Sequence, residues 1–93
     1  MTKTDSYAQE RIGFYEARFA SETIHQLVNN FNSLASSQGW TAERSCYSAA
    51  LIRELGRRGI DLTAIMSNDM GAQTIHYVQV AYDKDSHALL PIA

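Results

Sequence analysis

Cys46 is the one cysteine of the chain and the first residue to weigh as a catalytic nucleophile. A single cysteine with histidines elsewhere in the sequence is a legitimate candidate for that role. The helical pattern described below places Cys46 in the second turn of a helix, beyond most of the reach of the helix dipole. It lies at the edge of the apolar face, where a cysteine usually packs as a small hydrophobic side chain. We therefore expect Cys46 to be structural.

The three histidines, His25, His76 and His87, are candidates for metal ligands. The chain contains neither a His-x-x-x-His nor a Cys-x-x-Cys spacing, which zinc sites commonly use. In the strand register predicted below, about 20 Å of strand separates His76 from His87, too far for a shared ion. His25 falls on the polar side of a helix. The sequence therefore predicts no metal site and no cofactor.

Asp61 and His76 are diagonal neighbours in the same predicted register, and an Asp–His pair can orient a general base. Such a pair is more often a surface ion pair of small energetic value. The sequence has no glycine-rich phosphate loop and no G-x-S-x-G nucleophile turn. Glu54, near the apolar arc of its helix, is explained by an i,i+4 pair with Arg58. We expect that the protein is not an enzyme.

Residues 41–60 contain four arginines and only two glutamates, which gives this segment a local positive charge that could bind phosphates. The arginines are Arg44, Arg53, Arg57 and Arg58. The two helices predicted here superficially resemble a helix-turn-helix. The whole chain, however, carries a formal charge of −2, whereas nucleic-acid-binding domains are usually basic. Arginines near a helix C-terminus are also favoured by the helix dipole. Nucleic-acid binding through these four arginines is therefore kept as the alternative function.

Two helices must position these residues. Residues 21–38 carry one apolar stripe at helical spacing, with Ser21 as a suitable N-cap and Gly39 at the end. Residues 41–57 form a second helix, which Thr41 caps and Gly56 and Gly59 end. The two stripes consist of Ile24, Leu27, Val28, Phe31, Leu34 and Ala35, and of Tyr47, Ala50, Leu51 and Leu55. A linker of only two residues predicts a tight αα corner, which Trp40 is expected to fill.

Residues 7–20 allow two interpretations. Tyr15, Ala17 and Phe19 alternate with charged residues, which favours a strand over residues 12–19. Ser6 followed by Gln9 could instead cap a helix. We favour the strand and expect residues 1–6 to be disordered.

The last third of the chain reads as three strands, at 62–66, 74–82 and 88–92. Turns at 68–71, where Gly71 supplies a positive φ, and at 83–86 connect them. The predicted fold class is α+β. A two-helix αα corner packs on one face of a three- or four-stranded antiparallel β-meander, in the order β-α-α-β-β-β with the first strand uncertain.

The predicted sheet is apolar on both faces. The register pairs Leu62 with Tyr77 and Val80 with Leu89. One face, which should pack on the helices, then carries Leu62, Ala64, Met66, Ile75, Tyr77, Leu90 and Ile92. The other carries Ile65, Val78, Val80, Tyr82 and Leu89, although a sheet covered on one side should be polar on the other. Either the N-terminal segment covers this second face, or the second face contacts a partner.

Composition sets the class of protein. Of 93 residues, 45% are hydrophobic and 19% charged, which excludes a disordered chain. No apolar run is long enough to span a membrane, residues 1–6 do not resemble a signal peptide, and one cysteine cannot form an internal disulfide. We expect one cytoplasmic domain over residues 1–93. We predict that the protein is a non-catalytic interaction module that homo-oligomerises or binds a protein partner, and that it does not contact a membrane. The predicted contact residues are Ile65, Val78, Val80, Tyr82 and Leu89.

Overall fold

Within residues 3–37, 39 and 41–92, which the computed structural model describes, three α-helices are followed by four antiparallel strands. The helices are α1 (Lys3–Ala20), α2 (Ile24–Ser36) and α3 (Ala42–Arg57), and a short 3₁₀ turn follows at Thr63–Ile65. The strands are β1 (Met66–Asp69), β2 (Ala72–Ile75), β3 (Val80–Asp83) and β4 (Ala88–Pro91). The predicted α+β class is confirmed.

The first element is a helix, so the strand predicted over residues 12–19 is wrong. Helix α1 begins at Lys3, inside the segment that we expected to be disordered. Tyr15 and Phe19, four residues apart on α1, are buried and pack against α3. Ala8 and Ile12 are partly buried along the same side. This spacing is helical, and the alternation that favoured a strand depended on Ala17, which is exposed.

Helix α2 buries the predicted stripe, including Leu27 and Phe31, against the rest of the core. Its cap differs from the prediction. Thr23 accepts a bond at Oγ1 from the Gln26 backbone amide at 3.1 Å, while the Thr23 amide donates to Gln26 Oε1 at 2.8 Å. This reciprocal pair is a capping box. Ser21, the predicted cap, instead donates to the Arg18 carbonyl at the end of α1.

Helix α3 has the predicted bounds, with Thr41 as its N-cap. The Thr41 side chain accepts from the Arg44 amide at 3.1 Å. Leu51 and Leu55 are fully buried in the centre of the core. The expectation that Trp40 fills the corner lies outside the described residues.

The predicted single meander is instead two separate two-stranded sheets. In the first, Met66 pairs with Ile75, and Met70 and Gly71 form the turn with φ of 54° and 85°. Positive φ at both positions defines a type I′ hairpin turn. In the second, Val80 pairs with Pro91 and Tyr82 with Leu89.

The long strand predicted at 74–82 breaks between β2 and β3. There the Val78 amide donates to the His76 carbonyl at 3.1 Å, which folds the chain through a tight three-residue turn. Residues 62–66 are also not one strand, because the 3₁₀ turn occupies their middle. Both hairpins differ from the predicted registers by two residues, so the side chains keep the same grouping into faces.

Candidate functional site

The predicted partner surface lies mostly inside the protein. Val80, Ile65 and Leu89 are at most 1% exposed and belong to the core formed with the helices. Tyr82 is half-buried, and Val78 alone of the five is exposed, at 42%. The prediction that Ile65, Val80 and Leu89 form an exposed contact face is therefore wrong. These side chains complete the core of their own chain.

The opposite face of the second hairpin is exposed in part, since Ala88 on that face is buried whereas Ala81 and Leu90 are exposed. The register pairs Ala81 with Leu90, and the Ile92 amide extends the ladder by donating to the Gln79 carbonyl at 2.9 Å. Leu90 is 41% and Ile92 57% exposed, and Ala81 is exposed as well. We call Ala81, Leu90 and Ile92 the outer hairpin face. The prediction packed Leu90 and Ile92 on the helices, so the two faces of this hairpin were exchanged.

Arg44 caps the end of α2. Its Nη2 donates to the Leu34 carbonyl at 2.6 Å, and its Nη1 donates to the carbonyls of Gly39 at 2.7 Å and Ser37 at 3.3 Å. The Leu34 carbonyl, in the last turn of α2, also accepts from the Ser37 amide at 3.2 Å, whereas the carbonyls of Ser37 and Gly39 lie beyond the end of the helix. A guanidinium here satisfies them and also complements the negative end of the helix dipole.

Arg58 does the same for α1. Its Nη2 donates to the Phe19 carbonyl at 2.9 Å, and its Nε donates to Glu54 Oε2 at 2.8 Å. This bond confirms the predicted pair of Glu54 with Arg58. Glu54 is only 3% exposed and also accepts from Arg57 at 3.2 Å. The remaining member of the predicted cluster, Arg53, bonds Glu16 on α1 at 3.2 Å. All four arginines thus have acceptors within the chain.

The structure places the other chemical candidates apart. Cys46 is 6% exposed, with its Sγ 3.9 Å from the Ala8 carbonyl oxygen. Asp61 accepts from the amide and hydroxyl of Thr63, and the hydroxyl bond is the main cause of a lowered pKa for Asp61. His76 bonds instead to Ser67 Oγ at 2.9 Å. Asp61 and His76, the predicted neighbours, therefore have separate partners, Asp61 two residues along the chain and His76 across the first hairpin.

His87 links the second hairpin to the end of α3. Its Nε2 lies 2.8 Å from the Arg58 carbonyl oxygen, and its Nδ1 lies 2.5 Å from the hydroxyl of Tyr82. The carbonyl only accepts, so Nε2 is the donor of this bond, and the second contact joins the Tyr82 hydroxyl to Nδ1. Among the described residues, no group of three or more His, Cys, Asp or Glu side chains is placed to hold a metal ion.

Sequence reasoning missed a polar cluster between α1 and α3. Glu43 accepts from Arg11 Nε at 2.8 Å, from the Tyr15 hydroxyl at 2.7 Å and from the Tyr7 hydroxyl at 3.3 Å. The Arg11 bonds are the largest cause of a lowered pKa for Glu43, and the Glu43 bond is the largest cause of a raised pKa for Tyr15. The carboxylate therefore stays ionised and the phenol stays protonated near neutral pH.

A cleft of about 350 Å³ opens beside this cluster, between the three helices. Tyr15, Tyr47, Asn30 and Arg44 are among its lining residues. The signal that could have found the cluster is the i, i+4, i+8 spacing of Tyr7, Arg11 and Tyr15, which has meaning only on a helix. The strand assignment hid it.

The chain matches no protein-family model, and neither a curated protein nor a solved structure is significantly similar to it. Among the described residues, no helix is both long enough and apolar enough to cross a membrane.

Proposed function

We propose that this protein is a non-catalytic, homo-oligomerising module whose copies meet through the outer hairpin face. The observation that carries the proposal is the exposure of Leu90 and Ile92, two residues apart on one strand with Ala81 beside Leu90. Large apolar side chains grouped on one face are typical of contact surfaces in proteins. The interaction role expected from the sequence is thus retained, on the opposite face of the same hairpin.

A second copy of the chain is the occupant that suits this face. The outward positions Ala81, Leu90 and Ile92 carry no charge, and Asp83, which shares this face, lies at its turn end opposite Ala88. The apolar part of two such faces can therefore meet without like charges at its centre. A two-fold axis brings the same surface of both copies together and needs only a self-complementary patch. Sheets pack face to face at about 10 Å, with side chains of this size filling the space between them.

The polar candidates support a non-catalytic role because each of them bonds within the chain. Arg44 and Arg58 hold helix carbonyls, and Glu54 is neutralised by two arginines. The nucleic-acid alternative gains no comparable support, since two of its four arginines would have to leave helix ends to reach a phosphate. A cytoplasmic location fits the proposal, because one buried cysteine needs no oxidising compartment.

Light scattering across a concentration series tests the proposal. The average mass of the wild type should rise with concentration, and Leu90→Glu should lower it at every concentration. Gln73→Glu is the matched control, because it places the same charge on an exposed strand position of the other hairpin. A monomeric wild type overturns the proposal, and so does a Leu90→Glu protein that is folded by circular dichroism and keeps the wild-type mass.

A further inference from the structure

The outward side of α1 carries a second group of exposed residues. Tyr7, Glu10, Phe14 and Ala17 follow one another at spacings of three, four and three, beside the side of α1 that buries Tyr15. The Tyr7 ring belongs to this exposed group although its hydroxyl reaches Glu43 on α3. Tyr7 is 52% and Phe14 57% exposed. Positions that alternate by three and four along a helix form a seam at which a second helix can pack.

We propose that α1 packs antiparallel against α1 of a second copy, with Phe14 of each copy at the two-fold axis. This inference rests on the proposed self-association but uses a different surface, which lies on a helix that packs against α3 rather than on the second hairpin. We call Tyr7, Glu10, Phe14, Ala17 and Arg18 the α1 face.

The charges on the α1 face determine the direction of packing. Glu10 and Arg18 each lie four residues from Phe14, on opposite sides, or about 6 Å along the helix axis. In an antiparallel pair centred on Phe14, Glu10 of each copy therefore lies level with Arg18 of the other. In a parallel pair, Glu10 would face Glu10 and Arg18 would face Arg18. Opposite charges thus favour the antiparallel pair twice over, and like charges disfavour the parallel one.

Arg18 can make this contact while keeping its bond within the chain. Its Nε donates to Glu22 at 3.4 Å, and its side chain is 53% exposed. A guanidinium has five N–H donors, so one bond at Nε leaves the outer nitrogens for the second copy.

Small residues beside Phe14 allow the two helices to approach. Ala17 lies on the seam, and a Cβ built on Gly13 would meet nothing within 4 Å. Helix axes pack about 8–10 Å apart, at a distance set by the side chains in contact. The phenylalanine rings then fill the space that glycine and alanine leave. One helix pair buries less surface than a standard interface, so the association should be weak and dependent on concentration.

Charge reversal tests the pairing in solution. Glu10→Arg and Arg18→Glu each turn two attractive contacts of the dimer into two repulsive ones, and each should raise its dissociation constant roughly tenfold. The double variant restores both contacts with the signs exchanged and should recover the wild-type constant. Glu22→Gln, measured alongside, shows how much of any effect comes from the lost Arg18–Glu22 bond. A double variant no better than the singles overturns the inference.

Cross-linking tests the direction of the helices. In a Cys46→Ala background, Glu10→Cys and Arg18→Cys chains are prepared separately and treated with a short thiol-specific cross-linker. We expect cross-linked dimer mainly when the two chains are mixed. Efficient cross-linking of either chain with itself would indicate a parallel pair and overturn the proposal.

The two sets of variants separate the two hypotheses. If Leu90→Glu lowers the mass and charge reversal on α1 changes nothing, the α1 pairing is overturned and the proposed function stands. If charge reversal acts and Leu90→Glu does not, the outer hairpin face is overturned as the contact and the α1 pairing stands. A wild type that is monomeric at all concentrations overturns both.

Discussion

The guanidinium of Arg58 donates a hydrogen bond of 2.9 Å to the carbonyl oxygen of Phe19, and so joins the end of α3 to the end of α1. At the other end of α3, Arg44 caps α2 in the same way. An arginine at each end of α3 thus bonds a carbonyl in the last turn of another helix. The arginines that suggested phosphate binding hold the three helices together, and Arg58 also neutralises the buried Glu54.

Replacing Arg58 should therefore destabilise the protein strongly. Arg58→Ala removes the cap from α1 and leaves Glu54 buried with one arginine in place of two. Losing a charged partner of a buried group costs about 2–3 kcal/mol. Urea unfolding should show this loss, whereas Arg53→Ala, at a side chain 62% exposed, should cost less than about 1 kcal/mol. Equal losses for the two variants would contradict the capping role.

The sequence predicts the presence of α2 and α3 because their apolar stripes are local signals, and it also predicts the Thr41 cap of α3, whereas the cap of α2 is Thr23 and not the predicted Ser21. It does not predict α1, because Tyr15 and Phe19 satisfy a strand pattern and a helix pattern alike when Ala17 lies between them. Only the packing of α1 on α3 decides between the two. The Arg58–Phe19 bond depends on that helix, so it could not be foreseen either, whereas the local Glu54–Arg58 pair could.

The faces of the second hairpin show a different limit of prediction from the sequence. The alternation along the strand groups Leu90 with Ile92 in any register, and it groups Val80 with Leu89 in every register that differs by an even number of residues. Nothing local says which group meets the helices, because both are apolar. That choice depends on contacts such as the one from α2 to β3, which are tertiary.

The stability of the protein should be sensitive to the loss of the side-chain donor of Asn32. Asn32 Nδ2 donates to the Val80 carbonyl at 2.9 Å, and Asn32 Oδ1 accepts from the Val80 amide at 2.8 Å, so the amide group acts as a neighbouring strand. Asn32→Asp loses the donor and sets a carboxylate against the carbonyl, which should cost about 1–3 kcal/mol near neutral pH.

Acid should relieve part of that cost, because a protonated carboxyl regains an O–H donor. The stability gap between Asn32→Asp and wild type, measured by urea unfolding, should narrow as the pH falls toward about 4. Asn29→Asp, on the exposed side of the same helix, is the control and should show no such gap at neutral pH. A stability gap that does not change with pH would mean that the lost donor is not the cause of the lower stability of Asn32→Asp.

The turn of the first hairpin can be stabilised by substitution. Met70 has a φ of 54° and is almost fully exposed, so its side chain makes few contacts to offset the unfavourable backbone. Asparagine adopts positive φ more readily and is preferred in type I′ turns. Met70→Asn should therefore stabilise the protein by roughly 0.5–1 kcal/mol in thermal unfolding. Gly71→Ala, at a φ of 85°, should destabilise it, and a gain from that variant would contradict the turn geometry.

The Glu43 cluster should make stability depend on pH in the acid range. The pKa of Glu43 is lowered in the folded state, chiefly by its bonds to Arg11 and then by the bond to Tyr15. A carboxylate with a lowered folded pKa stabilises the fold above its unfolded value, near 4.3, and loses that contribution as the pH falls through the folded value. The unfolding midpoints of wild type and Glu43→Gln should therefore differ most above about pH 5 and converge in stronger acid. Tyr15→Phe removes one donor and should reduce the same pH dependence in part, and a Glu43→Gln curve parallel to wild type throughout would show that the cluster contributes nothing to it.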